Sequence, residues 1–152
     1  MFFKNEIFSI RKVRYRMKIL IMGLPGSGKT YLAERLQPLI NAAWYNADKV
    51  REMANDWDFS PDGRIRQSMR MRNLADFEKE NNRIVICDFV CPTKETRDNF
   101  DPDVVVWMDT IKEGRYEDTN KMFEEPDNVN FHITEMNDEN HKNISTELSK
   151  DV

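Results

Sequence analysis

Cysteine is nearly absent from this 152-residue chain, which has two, and glycine and proline are sparse at five and six. Cys87 and Cys91 are four residues apart. In an extended segment that is about 13 Å, too far for a disulfide, and two cysteines do not make a zinc set. The expectation is a reduced, cytoplasmic protein. No apolar run approaches the length that crosses a bilayer. Met1-Phe2-Phe3-Lys4 does not lead into an apolar stretch with a small-residue cleavage site, so no secretory signal is expected. A strong charge of one sign is also lacking. Against 23 Lys and Arg stand 27 Asp and Glu, a net charge of -4, which disfavours a general nucleic-acid binder. No internal repeat and no linker divides the chain.

What remains is a polar but globular composition, 39% hydrophobic and 33% charged, of a size to build one core. Lys4, Arg11, Lys12, Arg14 and Arg16 make the leading segment basic, while Glu135, Asp138, Glu139, Glu147 and Asp151 make the end acidic. Met17 directly precedes the first strand and is a candidate translation start. Residues 1–16 then read as a basic extension outside the fold, 17–135 as the domain, and 136–152 as a polar tail, either a frayed helix or disordered.

Apolar strands alternate with helical stretches. Lys18 to Met22, Ala43 to Asn46, Ile84 to Val90, Val104 to Met108 and Val129 to Ile133 read as strands. Leu32, Ala33, Leu36, Leu39 and Ile40 form a helical stripe that Pro38 is expected to kink or end early. Ala47 to Ala54, Arg64 to Asn81 and Glu113 to Phe123 read as further helices, with a loop over Asp56 to Gly63. This alternation predicts an α/β fold of three layers, a mostly parallel five-stranded sheet with helices on both faces. Ligands of such sheets bind at the carboxyl ends of the strands.

Gly23-Leu24-Pro25-Gly26-Ser27-Gly28-Lys29-Thr30 fits the full phosphate-binding loop, between a predicted strand and a predicted helix. Gly23, Gly26, Ser27 and Gly28 let successive backbone N–H groups face one anion. The following helix adds its positive end. Lys29 reaches the β and γ phosphates, and Thr30 offers a hydroxyl to magnesium. ATP and Mg²⁺ are therefore the expected ligands.

Three later clusters bear on the phosphate's destination. Asp48, after the second strand, is either a capping residue or a group that takes a hydroxyl proton and helps hold Mg²⁺. Arg51 is either a surface arginine or a partner for an acceptor phosphate. Arg64, Gln67 and one of Arg70 or Met71 fall on one helical face, either a solvated face or, with Arg70, an anion pocket. Asp88 lies within the clearest strand, near its end, where a carboxylate among apolar residues needs hydrogen bonds or a cation. A role toward Mg²⁺ and a capped strand end are the two readings.

Taken together, the segments GLPGSGKT, NADKVR, DFSPDGRIRQSMR, FVCP and EGRY, from about Lys18 to Phe123, resemble in order the motifs of the adenylylsulfate kinases. That family shows GLSGSGK[ST], DGDNVR, GFS followed by DR-x-x-N-x-x-R, ISP and KGLY. It phosphorylates the ribose 3′-hydroxyl of adenosine 5′-phosphosulfate, on a P-loop kinase fold. The resemblance implies that Asp48 lies near the reacting hydroxyl and that Arg51 approaches the acceptor. Phe59 would stack on the acceptor adenine. Arg64 and Arg70 match family arginines, and Gln67 stands at the family's Asn. Val90, Cys91 and Pro92 align with ISP, and Gly114 and Tyr116 with the lid, where Lys112 stands in for the lysine that Glu113 replaces. Asn46 replaces the first aspartate, Met69 an arginine and Cys91 a serine, and the lid is shortened. The departures fall on the acceptor side.

The expected function is an ATP-dependent kinase, with Lys29, Asp48 and Asp88 in catalysis and Thr30 and Asp48 at the metal. Adenosine 5′-phosphosulfate is the leading acceptor. The alternatives are a kinase for polynucleotide 5′-hydroxyls or modified nucleosides, to which the basic segment lends support, and a non-catalytic nucleotide-binding module. A small nucleotide substrate, no membrane and a homodimer of the family's kind complete the expectations.

Overall fold

The computed structural model describes residues 16–150. The basic segment thus lies, but for Arg16, outside the described residues. The chain runs β1 (Met17–Met22), α1 (Lys29–Ile40), β2 (Ala43–Asn46), α2 (Ala47–Ala54), α3 (Pro61–Glu80), β3 (Ile84–Asp88), α4 (Lys94–Phe100), β4 (Val104–Met108), α5 (Glu117–Met122), β5 (Phe131–Ile133) and α6 (Asn140–Ser149). The five strands form one sheet in the order β2-β3-β1-β4-β5. Every pairing is parallel, where the sequence suggested only mostly parallel.

β1 lies at the centre because MKILIM is apolar on both faces, as a strand flanked on both sides requires. Its alternate side chains serve two cores. Ile19 and Ile21 pack with Leu32, Ala33 and Leu36 of α1 and Ile144 of α6. Leu20 and Met22 pack with Val50 of α2, Met71 and Ala75 of α3 and Phe100 of α4. Helices therefore cover both faces, as expected.

Several boundaries differ for physical reasons. α1 continues through Pro38 to Ile40. Pro38 is exposed, so water can satisfy the Glu34 carbonyl that its missing N–H leaves free. Asn41, at φ 49°, then closes the helix and donates its N–H to Gln37 O. α3 starts at Pro61, before the expected Arg64, because the Ser60 side chain accepts from Gly63 N and proline suits the first turn. α4 was not anticipated. Its signal is Thr93, whose hydroxyl accepts from Thr96 N while the Thr96 hydroxyl accepts from Thr93 N.

The polar end is not frayed. Asn140–Ser149 is a helix whose Ile144 is 1% exposed, with Leu148 packed beside the same core. Ile144→Ala is expected to cost about 2–5 kcal/mol of stability. Urea unfolding would show this as a lower midpoint at an unchanged slope; an unchanged midpoint would place α6 outside the cooperative core.

Candidate active site

The loop between β1 and α1 folds as the spacing of its residues demands. Gly23, Gly26 and Gly28 have φ of 151°, 88° and 101°. A side chain at Gly23 would sit 2.6 Å from Met108 O, so only glycine lets the loop pass the end of β4. The hydroxyl of Ser27 is buried with no hydrogen-bond partner among the described residues. In a loop whose backbone is built to face an anion, that orphan donor fits a bound phosphate.

Lys29 opens α1 and donates its ammonium to Leu24 O at 3.0 Å. Burial is the largest influence on it and lowers its pKa from 10.5 to about 8, against the opposing charges of Asp88 and Asp48. A partly desolvated cation held within its own loop is suited to meet phosphate oxygens.

Next to it lies a compact polar network. The Thr30 hydroxyl donates to Asp88 Oδ2 at 3.1 Å. Asn46 Nδ2 donates to the same oxygen at 3.0 Å and to Thr30 Oγ1 at 3.2 Å. Trp44 Nε1 donates to Asp88 Oδ1 at 2.8 Å. The sheet register creates this meeting, since Asn46 and Asp88 are paired residues at the ends of β2 and β3. Asp88 is 2% exposed. Burial raises its pKa, and the bonds from Trp44, Asn46 and Thr30 work against that rise. Asn46 also caps α2, its Oδ1 accepting from Lys49 N. Trp44 and Asn46 are members of the site that sequence reasoning did not assign to it.

Among the described residues no group of three His, Cys, Asp or Glu could hold a metal ion. One hydroxyl and one carboxylate suit a magnesium ion that takes its other ligands from phosphates and water. The sequence assigned the metal to Thr30 and Asp48. The carboxylate in contact with Thr30 is that of Asp88, while Asp48 lies exposed in the first turn of α2, with its charge felt at Lys29.

The acceptor side differs more from expectation. Arg51 is not free to reach out. It is 5% exposed, its Nη1 donates to Asp56 O and Asp58 O, and its guanidinium lies 4.4 Å from the ring centre of Phe59. Phe59 itself is 55% exposed and offers its other face. Arg64 donates to Phe59 O at 2.8 Å. Gln67 is buried, giving Nε2–H to Ala47 O and accepting from Arg70. Cys91 is a correction. Its side chain is 1% exposed in the core and its backbone is left-handed at φ 46°, so the thiol does not face the acceptor. Burial pushes that thiol up to about 12. Val90 is half-buried beside it.

The lid segment rests on the phosphate loop. The Thr110 hydroxyl donates to Ser27 O at 2.7 Å, and a side chain at Gly114 would stand 3.1 Å from Pro25. Asn120 of α5 braces Gly114 at both N–H and C=O. Lys112 and Tyr116 are exposed in this segment, which also carries an open recess of about 530 Å³ lined by Glu113, Arg115, Glu117 and Lys121.

The model of the AAA domain family matches residues 19–130. The chain belongs to the AAA domain family. A relative from Aeropyrum pernix called a probable adenylyl-sulfate kinase is 35% identical over 88 residues, covering 52% of this chain and 46% of that protein. The chain spans about half the length of this curated relative. Among solved structures, the Mycobacterium tuberculosis APS kinase CysC in complex with AMPPNP and APS superimposes with a TM-score of 0.71. It is 17% identical and covers 90% of this chain and 98% of that one. Shikimate kinase from Aquifex aeolicus gives 0.64 at 16% identity over 89% and 98%. These likenesses establish the P-loop kinase fold for this AAA domain, and the matches together bear out the chain's resemblance to the adenylylsulfate kinases.

Proposed function

We propose that this chain is an ATP-dependent kinase. It would transfer the γ-phosphoryl group of ATP to a hydroxyl of a small nucleotide-like acceptor, first among them the 3′-hydroxyl of adenosine 5′-phosphosulfate. The observation that carries the reading is the convergence of Lys29, Thr30, Asp88 and Asn46 at the carboxyl ends of β1, β2 and β3, with Asp48 in the first turn of α2. In this reading the loop N–H groups, Ser27 and Lys29 bind and orient the phosphates. Thr30 and Asp88 would hold the magnesium ion, which would supply positive charge against the charge developing on the phosphoryl oxygens. Asp48, exposed and with its charge felt at Lys29, accepts a hydrogen bond from the acceptor hydroxyl and aligns it with the γ-phosphorus. Phe59 offers a ring face on which a base stacks.

The test is turnover of Mg·ATP with and without adenosine 5′-phosphosulfate. Stimulation by that nucleotide, lost by about 10²–10⁴-fold in Asp48→Asn with ATP binding intact, supports the reading. Turnover only on a nucleoside, a polyol or a 5′-hydroxyl polynucleotide overturns the acceptor assignment. No turnover on any acceptor overturns the enzyme in favour of a binding module.

No helix among the described residues is long and apolar enough to cross a membrane. Cys87 and Cys91 are both free and buried, which supports assigning the protein to the reducing cytoplasm. A homodimer is the oligomer that the family resemblance suggests.

A further inference from the structure

We propose that Asp56 and Asp58 determine acceptor specificity, competing from within the chain for the arginines that an anionic acceptor would need. The inference rests on the acceptor side proposed above.

The arginines are already engaged. Arg66 places a fork on Asp56, Nε to Oδ2 at 2.7 Å and Nη2 to Oδ1 at 3.0 Å, and also reaches Asp58 Oδ2 at 3.3 Å. Arg70 gives Nη2 to Asp56 Oδ2 at 3.0 Å and Nη1 to Gln67 Oε1 at 2.7 Å. Arg51 and Arg64 spend donors on the backbone carbonyls of the same loop. The Asp56 side chain is only 12% exposed, and the bonds from Arg66 and Arg70 hold its carboxyl far below the usual carboxylate range. A planar carboxylate accepting a guanidinium fork is the geometry that a phosphate or sulfate oxygen pair would adopt in its place.

The loop is shaped to put these carboxylates there. Asp58 stands where the adenylylsulfate kinase motif GFS has glycine. Its own Oδ1 accepts from Ser60 N at 2.9 Å, which turns the chain into α3. Gly63 makes the room, since any side chain at that position would run into the Asp58 backbone oxygen and carboxyl carbon. Arg51 then clamps the carbonyls of Asp56 and Asp58 from beneath.

An anionic acceptor must therefore displace a tethered carboxylate, whose effective concentration is high. An uncharged acceptor has no such competitor. The pair should weaken the site for polyanions without affecting uncharged ligands.

The experiment uses the full chain loaded with a non-hydrolysable ATP analogue and Mg²⁺, which fills the phosphate loop. Binding of adenosine 5′-phosphosulfate, inorganic sulfate and adenosine is measured by calorimetry for wild type, Asp56→Asn and Asp58→Asn. Asn at 58 keeps the acceptor for Ser60 N, so that variant retains its turn. The expected result is tighter binding of both anions, by about tenfold in Asp56→Asn and a few-fold in Asp58→Asn, with adenosine unchanged. Unchanged or weaker anion binding in Asp58→Asn overturns the proposal, and so does an equal gain for adenosine, which would mean a change of loop shape. Should the wild type phosphorylate no acceptor, the proposed function fails while the sulfate arm still decides this inference.

Discussion

Replacing Lys29 by methionine is expected to lower phosphoryl transfer by about 10²–10³-fold, the loss typical of removing one preorganised charge from a transition state. The side chain has nearly the same length, so the loop should keep its shape. In the free protein the ammonium is held against Leu24 O and desolvated to a pKa of about 8. Incoming phosphates favour the charged form and raise that value. Above pH 8, nucleotide binding should therefore take up a proton in the wild type and none in Lys29→Met. Calorimetry in two buffers of different ionisation enthalpy would read the difference. The sign for stability is opposite to that of an ion-paired lysine. Between about 8 and 10.5 the unfolded chain binds more protons than the folded one, so stability rises with pH across that window. Methionine should abolish that slope. Equal ATP affinity for wild type and Lys29→Met at pH 7, with equal turnover, would remove Lys29 from the mechanism.

A second large effect is expected from exchanging two residues. Asp88→Asn alone should reduce turnover by about 10²-fold or more, because Thr30 loses its carboxylate partner. Asn46→Asp alone places a second carboxylate against the first, and like charges at hydrogen-bond distance oppose ionisation of both. The double exchange, Asn46→Asp with Asp88→Asn, should recover to within about tenfold of wild type, a strongly non-additive outcome. The two positions are register partners, and both side chains touch Thr30 Oγ1. An asparagine at 88 still offers Oδ1 to Trp44. The adenylylsulfate kinase motif carries its first aspartate where this chain has Asn46, a precedent for a carboxylate at that position. If the double variant is no better than Asp88→Asn, the site needs its charge at β3 for a reason other than contact with Thr30.

The phosphate loop, the strands and the layers were legible because each is written locally, although β3 stops at Asp88, two residues short of the expected Val90. A glycine spacing, an apolar run or a turn of helix is contained within a few residues. What escaped was long-range pairing. Asn46 reads as a lost aspartate until the register sets it beside Asp88. Arg51 reads as a cation facing an acceptor, whereas the next loop folds back to take its donors. Cys91 reads as a serine substitute at a strand end, but a left-handed backbone turns its thiol into the core. α6 was expected only as a frayed helix or disorder because its one fully buried side chain, Ile144, makes no stripe; Leu148, one turn further on, was the available hint of a packed helix. The DFSP loop showed its aromatic and its arginines plainly. It did not show that Asp56 and Asp58 hold Arg70 and Arg66, the latter never singled out in the sequence, since ion pairing is set by geometry rather than by spacing alone.

The central place of β1 has a consequence for the order in which the chain becomes competent. Its neighbours are β3 and β4, so Met17 pairs with Ile84 and Met22 with Trp107. Closing such long loops is entropically costly and slows folding. A ribosome that has just released Lys29 has made the nucleotide-binding segment but neither of the strands that hold it in place. Met108, whose carbonyl Gly23 must skirt, has not yet been translated. The earliest functional motif in synthesis is thus among the last to acquire its working shape, and nucleotide capture can report completion of the sheet.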